Sequence, residues 1–449
     1  MNANLENAVS DVTIHKSVAC TLCGCVCDDL QILTSRNEII QIDKACDMAN
    51  RWFSKLTSQS LSSQQETRAT STKVVGKPAT LEAGLEEAVR LISVCKYPLI
   101  YGLSRSTTEG QRQAIALAEF VGATIDTTAS TGHAQSLIAM QRVGESTCSL
   151  GEVKNRADLV IYWASDPLKT HPRHIERYVL APGLFRSPHE KKPKIIVVDN
   201  KENQTKLMAN QFISIPESRD WEILQILKAK LKGISINKPA WLTDSLDQKL
   251  SELIAEMKSC QFGIIFFGSE LTQRGHGHRN VEAILSLTSR LNQFTRFYAK
   301  RMRRLGDVAG ADSVLTWQSG FPFAVNYSRG YPRYQPGEFS AMKMLERREI
   351  DLAILIGSDS IRDFSEVSLA WLKKIPLITL NASEMDHDIP GLISPQVSFS
   401  TAIYGIHERG TAYRMDEIPI PLRQVVTSSL PTDDFILRSL LDLLKKNCS

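Results

Sequence analysis

The 449-residue sequence is poor in every feature that would place it outside the ordinary globular class. Its longest apolar runs, Phe262–Phe267 and Leu352–Ile356, fall far short of the roughly 20 residues that cross a bilayer. The first residues (MNANLENAVSDV) offer no basic stretch followed by an apolar one, so no secretory signal is expected. Charge of neither sign dominates: the net charge of +4 is too slight to argue for nucleic acid. No P-loop, H-E-x-x-H or G-x-S-x-G occurs. A hydrophobic fraction of 43% and a charged fraction of 23% exclude disordered, collagen-like and miniprotein chains. A cytoplasmic protein with neither membrane nor nucleic-acid partners is expected, and at ~150 residues per domain the length suggests roughly three domains.

Cysteine is scarce except in one place. Of nine cysteines, Cys20, Cys23, Cys25 and Cys27 lie within eight residues, and Cys46 follows. Without an export signal such a cluster points to a metal rather than to disulfides. The spacing Cys20-x2-Cys23-x3-Cys27 with Cys46 as the return ligand supplies the four thiolates that a [4Fe–4S] cluster requires. Structural zinc also takes four sulfurs, but it usually pairs two C-x2-C knuckles, and Cys46 has no second member. Reduced, buried thiols are the bland alternative. Cys25 is the spare, expected to point away from the cluster. Cys95, Cys148, Cys260 and Cys448 read as small hydrophobes.

Residues 57–73, rich in Ser, Thr and Gln, read as a linker. From about residue 79, amphipathic helices alternate with short β-branched runs: Pro98–Leu103, Leu159–Trp163, Ile195–Val198, Phe262–Phe267, Leu352–Ile356 and Leu377–Leu380. This alternation predicts doubly wound parallel sheets. The expected organisation is a Cys-rich iron–sulfur region over 1–56, a linker over 57–78, α/β domains over 79–260 and 261–395, and a segment over 396–449 that packs back on the core. These bounds are approximate, and discontinuity is allowed.

One motif occurs twice. Asp158–Asp166 (DLVIYWASD) and Asp351–Asp359 (DLAILIGSD) share D-L-x-I-x-x-[AG]-S-D. Ligands of open parallel sheets bind beyond the strands' carboxyl ends. Ser165, Asp166, Ser358 and Asp359 are therefore candidate cofactor-binding residues, unless the match is fortuitous. Asp199, ending IIVVD, is a further candidate for ribose hydroxyls, or simply a turn-starting acid before Asn200. His276 and His278 read as a solvated loop, and His171 and His174 as packing and hydrogen-bonding residues. The basic run Arg296, Lys300, Arg301, Arg303 and Arg304 suits nucleic acid, a nucleotide cofactor's phosphates or an acidic partner.

The stretches CTLCGCVCDDL, IDTTASTGHAQS, STCSLGEVKNRADLVIYWASDPLKTHPRH, TWQSGFPFAVNYSRGYPRYQPGE and GTAYRMDEIPIPLR make the chain, from about residue 18 to 423, resemble the B subunit of formylmethanofuran dehydrogenase, in the molybdopterin oxidoreductase superfamily. The resemblance implies two related α/β domains and a [4Fe–4S] cluster beside tungsten or molybdenum held by two pterin guanine dinucleotides. It implies a reaction that reduces carbon dioxide to formate, which a partner amidohydrolase then condenses onto methanofuran. In that family a Cys or selenocysteine directly before the His of the TTASTGHAQS segment ligates the metal. Here the position is Gly132, before His133. An M-R-G-H stretch with an active-site arginine reads Met302-Arg303-Arg304-Leu305 here, and a common Gly-Cys-Asn-Pro reads Ala164-Ser165-Asp166-Pro167. Gly132, His133 and Arg303 thus form a degenerate site. This pattern resembles the B subunit of the bacterial formyltransferase/hydrolase complex, a redox-inactive scaffold in methanopterin-linked formyl-to-formate metabolism. Its implied partners are the other members of that complex: one amidohydrolase-like, one glutamate-synthase-like and one a formyltransferase. An active tungsten or molybdenum dehydrogenase and an iron–sulfur electron carrier are the alternatives.

Overall fold

The computed structural model describes residues 12–62, 72–186, 192–382 and 395–448, with the backbone alone for 55–62 and Ser358. Its strands in chain order are β1 (Val12–Val18), β2 (Leu30–Ser35), β3 (Glu38–Asp43), β4 (Thr72–Val74), β5 (Lys77–Ala79), β6 (Pro98–Gly102), β7 (Thr124–Thr127), β8 (Leu159–Trp163), β9 (Lys194–Asp199), β10 (Gln211–Ser214), β11 (Phe262–Phe267), β12 (Arg296–Arg301), β13 (Val325–Asn326), β14 (Arg333–Tyr334), β15 (Leu352–Ile356), β16 (Leu377–Ala382), β17 (Val397–Thr401), β18 (Gly410–Tyr413) and β19 (Pro419–Leu422). They fall into two compact units: one spans Gly132–Arg304, the other joins the residues up to Thr131 with those from Leu305 onward.

The Gly132–Arg304 unit holds a parallel five-stranded sheet in the order β10-β9-β8-β11-β12. β8 and β11 are buried at every position, as parallel strands covered on both faces must be. Leu159, Ile161 and Trp163 join the helices 220–231, 244–259 and 278–291 in one apolar cluster. On the opposite face Tyr162 stacks on Phe266 at 5.6 Å.

The discontinuous unit has a nine-stranded sheet, β14-β13-β7-β6-β15-β16-β17-β4-β5. Its centre, β7-β6-β15-β16-β17, is parallel, and the flanking pairs are antiparallel. The helix Thr108–Val121 shows why its helices stand where they do. Thr107 Oγ1 accepts from Gly110 N–H (3.3 Å) at one end, and Gly122, at φ 70°, takes the left-handed turn that closes the other. Helix Asp433–Cys448 lays Ile436, Leu437, Leu440 and Leu441 into the same core. The antiparallel sheet β1-β2-β3, whose β1–β2 connection carries the cysteines, belongs to this unit. The chain therefore has no separate Cys-rich domain, and its units do not follow the consecutive bounds 79–260 and 261–395. The expected linker is partly ordered: residues up to Ser62 continue the helix that begins at Asp47, β4 and β5 form a hairpin, and 63–71 lie outside the described residues.

The repeated motif is a structural repeat. Asp158 carboxylate accepts the N–H groups of Gln261 (2.7 Å) and Phe262 (2.8 Å) at the start of the neighbouring β11. Asp351 does the same for Lys96 (2.8 Å) and Tyr97 (2.9 Å) before β6. At the other end, Ala164 N–H donates to Val198 O (3.0 Å) and Gly357 N–H to Leu380 O (2.9 Å), both residues at positive φ, 46° and 75°. Matching β8 with β15 brings the two sheets into register strand for strand: 10-9-8-11-12 against 17-16-15-6-7. The discontinuous unit is a circular permutation of the other, because β6 and β7 precede β15 in the chain.

Removing the carboxylate at one pinned strand start tests this account. Asp351→Ala strands two backbone donors and is expected to cost about 1–3 kcal/mol in urea unfolding, whereas Asp351→Asn retains part of that. A loss below ~0.5 kcal/mol in both variants contradicts the pinning role.

Candidate functional site

The Cys loop closes on itself through its backbone. Cys20 N–H donates to Cys27 O (2.7 Å) and Val26 N–H to Cys23 O (3.0 Å), with Val26 at φ 34°. Cys20, Cys23, Cys25 and Cys27 are buried. Cys46 comes from β3's exit and sits at the start of helix Asp47–Ser62, where its carbonyl accepts from Asn50 N–H (2.7 Å). Burial pushes the Cys46 thiol up; the N–H of Ala49 at the helix start pulls it down, and Cys23 and Cys27 push it up again. Burial, then Cys27, Cys23 and Cys46 push Cys20 well above its ordinary value. Four thiols within electrostatic reach that raise one another's pKa are a donor set short of cations. An iron–sulfur cluster supplies that positive charge, so the residues fit the group. Among the described residues no group of three His, Cys, Asp or Glu closes on a single-ion geometry. Cys25 does not point away: its thiol lies in hydrogen-bonding contact with Cys23 and Cys27.

A buried cation ties this loop to the sheet. Arg105 Nη1 donates to Thr21 O (3.2 Å) and Leu22 O (3.1 Å), while Nη2 meets Asp359 Oδ2 at 2.8 Å. Tyr404 O–H, in contact with Thr21 O (2.9 Å) and Ser104 O (3.1 Å), completes the anchor. Gly306 has no room for a side chain, since a Cβ would stand 2.2 Å from Thr21 O. Its neighbour Leu305 pairs with Cys23 as an antiparallel bridge. A pocket opens among Leu22, Trp52, Arg105, Gly357, Asp359 and Tyr404. Burial pushes the Asp359 carboxyl up, but the Arg105 charge outweighs it and holds the group below the usual range.

The other strand-end candidates are also already partnered. Asp166 accepts from Thr205 Oγ1 (2.6 Å) and Thr205 N–H (3.1 Å), and Asp199 from Arg274 Nη2 (2.5 Å), Asn203 Nδ2 (2.9 Å) and Asn200 N–H (2.8 Å). Ser165 is buried. The side chain of Ser358 lies outside the described residues.

Gly132 ends the short helix Ala129–Gly132, and no atom of its own unit lies within 4 Å of where its Cβ would be. The position is open but offers no donor, so a metal that needs a protein thiolate here does not fit. His133 is buried, and its Nδ1 has no hydrogen-bond partner among the described residues. Burial, then the charges of Arg303, Arg301 and Arg304, hold it well below the ordinary imidazole range. The basic run is interior: Lys300, Arg301 and Arg303 are 2%, 5% and 3% exposed, which rules them out as a nucleic-acid surface. Arg301 pairs with Glu145 at 3.2 Å. His171, which the sequence marked only as packing, places the Arg303 turn: its Nε2–H donates to Arg303 O at 2.7 Å. His174 Nδ1 lies 3.0 Å from the Tyr162 hydroxyl.

Burial pushes His171 down to about 4, so it is neutral in the fold and charged when unfolded near pH 5. The unfolded chain then binds more protons. Stability of the Gly132–Arg304 unit is therefore full above about pH 6.5 and lost as pH falls toward 4, by ~3 kcal/mol for this residue. Urea unfolding at pH 7 and 4.5 is expected to show this loss, and His171→Gln to reduce it. Equal losses in both proteins contradict the assignment.

No family model matches the chain. It is 37% identical over 440 residues to the B subunit of tungsten-containing formylmethanofuran dehydrogenase 2 of Methanocaldococcus jannaschii, covering 97% of this chain and 99% of that one. It is 22% identical over 287 residues to the B subunit of the formyltransferase/hydrolase complex of Methylorubrum extorquens, covering 64% and 74%. Among solved structures, that Methylorubrum extorquens complex (TM-score 0.69, 20% identity, 84% of this chain and 100% of that one) and acetylene hydratase from Pelobacter acetylenicus (TM-score 0.62, 10% identity, 96% and 69%) share its fold. Identity of this extent along nearly the whole length establishes that the chain belongs to the family of formylmethanofuran dehydrogenase B subunits.

Proposed function

We propose that this chain is the B subunit of a formyl-handling complex of one-carbon metabolism and acts there as a redox-silent scaffold. The observation that carries the reading is Gly132. The position directly before His133, where the resembled dehydrogenases carry a metal-binding Cys or selenocysteine, has no side chain and an open surrounding. A soft thiolate is part of what selects and tunes such a metal, and the neutral His133 imidazole is a harder, uncharged donor. Leu305 also removes the polar group that would handle a proton.

Cys20, Cys23, Cys27 and Cys46 would hold a [4Fe–4S] cluster whose metal–thiolate bonds join the loop to the start of helix Asp47–Ser62. Arg105 and Tyr404 hold the loop carbonyls, so the thiols are presented from a fixed backbone. The partners follow from the relative that works inside a formyltransferase/hydrolase complex: an amidohydrolase-like protein, a glutamate-synthase-like protein and a formyltransferase. A second reading, an active tungsten or molybdenum enzyme interconverting carbon dioxide and formate, is favoured by the 37% identity to a tungsten-containing dehydrogenase.

Metal analysis of the anaerobically purified native complex separates the readings. About four irons per chain, with tungsten and molybdenum far below one, are expected. Stoichiometric tungsten or molybdenum would favour the second reading, and a single zinc without iron would remove the cluster.

A further inference from the structure

The Cys loop contains one thiol more than a cubane uses. Cys20 is influenced by Cys27, Cys23 and Cys46, and Cys46 by Cys23 and Cys27. Cys25 instead stands in hydrogen-bonding contact with two of these four, Cys23 and Cys27, at 1% exposure. The backbone holds it there. The Cys23–Val26 turn closes through Val26 N–H to Cys23 O (3.0 Å), and Val26 adopts φ 34°, a left-handed conformation costly for a β-branched residue. That turn brings Cys27 back to pair with Cys20 (N–H to O, 2.7 Å) and leaves Cys25 enclosed behind its two neighbours. Val18, Leu30, Ile32, Trp52 and Phe53 share its apolar cluster.

We propose that Cys25 is a positioning residue whose S–H donates a hydrogen bond to the ligand sulfur of Cys23 or Cys27 and so raises the reduction potential of the cluster those sulfurs hold. The inference rests on the cluster reading above. Its physics is simple. One-electron reduction places more negative charge on the cluster and its ligand sulfurs. A donor aimed at those sulfurs stabilises the reduced form more than the oxidised one. The thiol is a weak donor, but in a dry pocket its effect is not shared with water. Burial beside the ligands also keeps the position closed to solvent, which is itself a determinant of potential.

The test uses the full chain, purified anaerobically as wild type, Cys25→Ser and Cys25→Ala. Iron is counted, and the one-electron couple is titrated with dithionite as reductant and followed by electron paramagnetic resonance. Cys25→Ala is expected to retain the wild-type iron content with a lowered potential. Cys25→Ser, which keeps an O–H donor of similar size, is expected to lie closer to wild type than Ala does. An unchanged potential in Cys25→Ala overturns the inference while leaving the cluster reading intact. A Ser variant displaced as far as Ala overturns it too, because loss of packing rather than of a donor would then be the cause. Loss of iron in Cys25→Ala, with Cys27→Ala retaining it, makes Cys25 a ligand and overturns the hydrogen-bond role. Wild-type protein without iron overturns both readings.

Discussion

The geometry of the Cys loop depends on one buried guanidinium. Arg105 follows the end of β6, reaches Asp359 beyond the end of β15, and with the same side chain holds two carbonyls of the loop. Because β6 and β15 are hydrogen-bonded neighbours, the ion pair locks the loop to the carboxyl end of the parallel sheet, where such sheets bind ligands. A buried ion pair is poor evidence for net stability, since desolvation of both charges offsets their attraction. Its contribution here is placement. Removing either partner leaves a buried charge and unties carbonyls that define the thiol positions.

Much of the fold is legible in the sequence because its strands are continuous β-branched or aromatic runs. Leu159–Trp163, Phe262–Phe267 and Leu352–Ile356 fall where those runs do. The repeat D-L-x-I-x-x-[AG]-S-D is legible too, and each of its residue types has a local reason: an acid that receives two N–H groups of the next strand, and a small residue for a left-handed exit. What cannot be read is which strands pair. β6 and β15 lie about 250 residues apart in sequence, and no local signal places β6 and β7 in the later strands' sheet. The consecutive domain bounds diverge from the observed units for that reason.

The candidate site is legible in residue type and less so in partnership. The cysteine spacing identifies the loop, and the structure gathers Cys20 with Cys23, Cys27 and Cys46. Asp359 and Asp199 look like ribose acceptors, yet each is already engaged by an arginine whose position is fixed by distant chain. The basic run looks like a surface because its residues are charged; alternation along β12 and the turn after it carries Lys300, Arg301 and Arg303 inside, against Glu145 and the neutral His133. His171 has no distinguishing sequence signal at all, since its role is a hydrogen bond to a backbone carbonyl over a hundred residues away.

Gly132 beside His133 is where family membership and chemistry part. The scaffold is kept along 97% of the chain relative to a tungsten-containing dehydrogenase, while the position that would give the metal a thiolate carries no side chain. The most direct test is an anaerobic assay of the native complex for formate-dependent reduction of a viologen dye. A redox-silent scaffold predicts formyl transfer and hydrolysis with no dye reduction. Sustained dye reduction at the rate of formate consumption would contradict it.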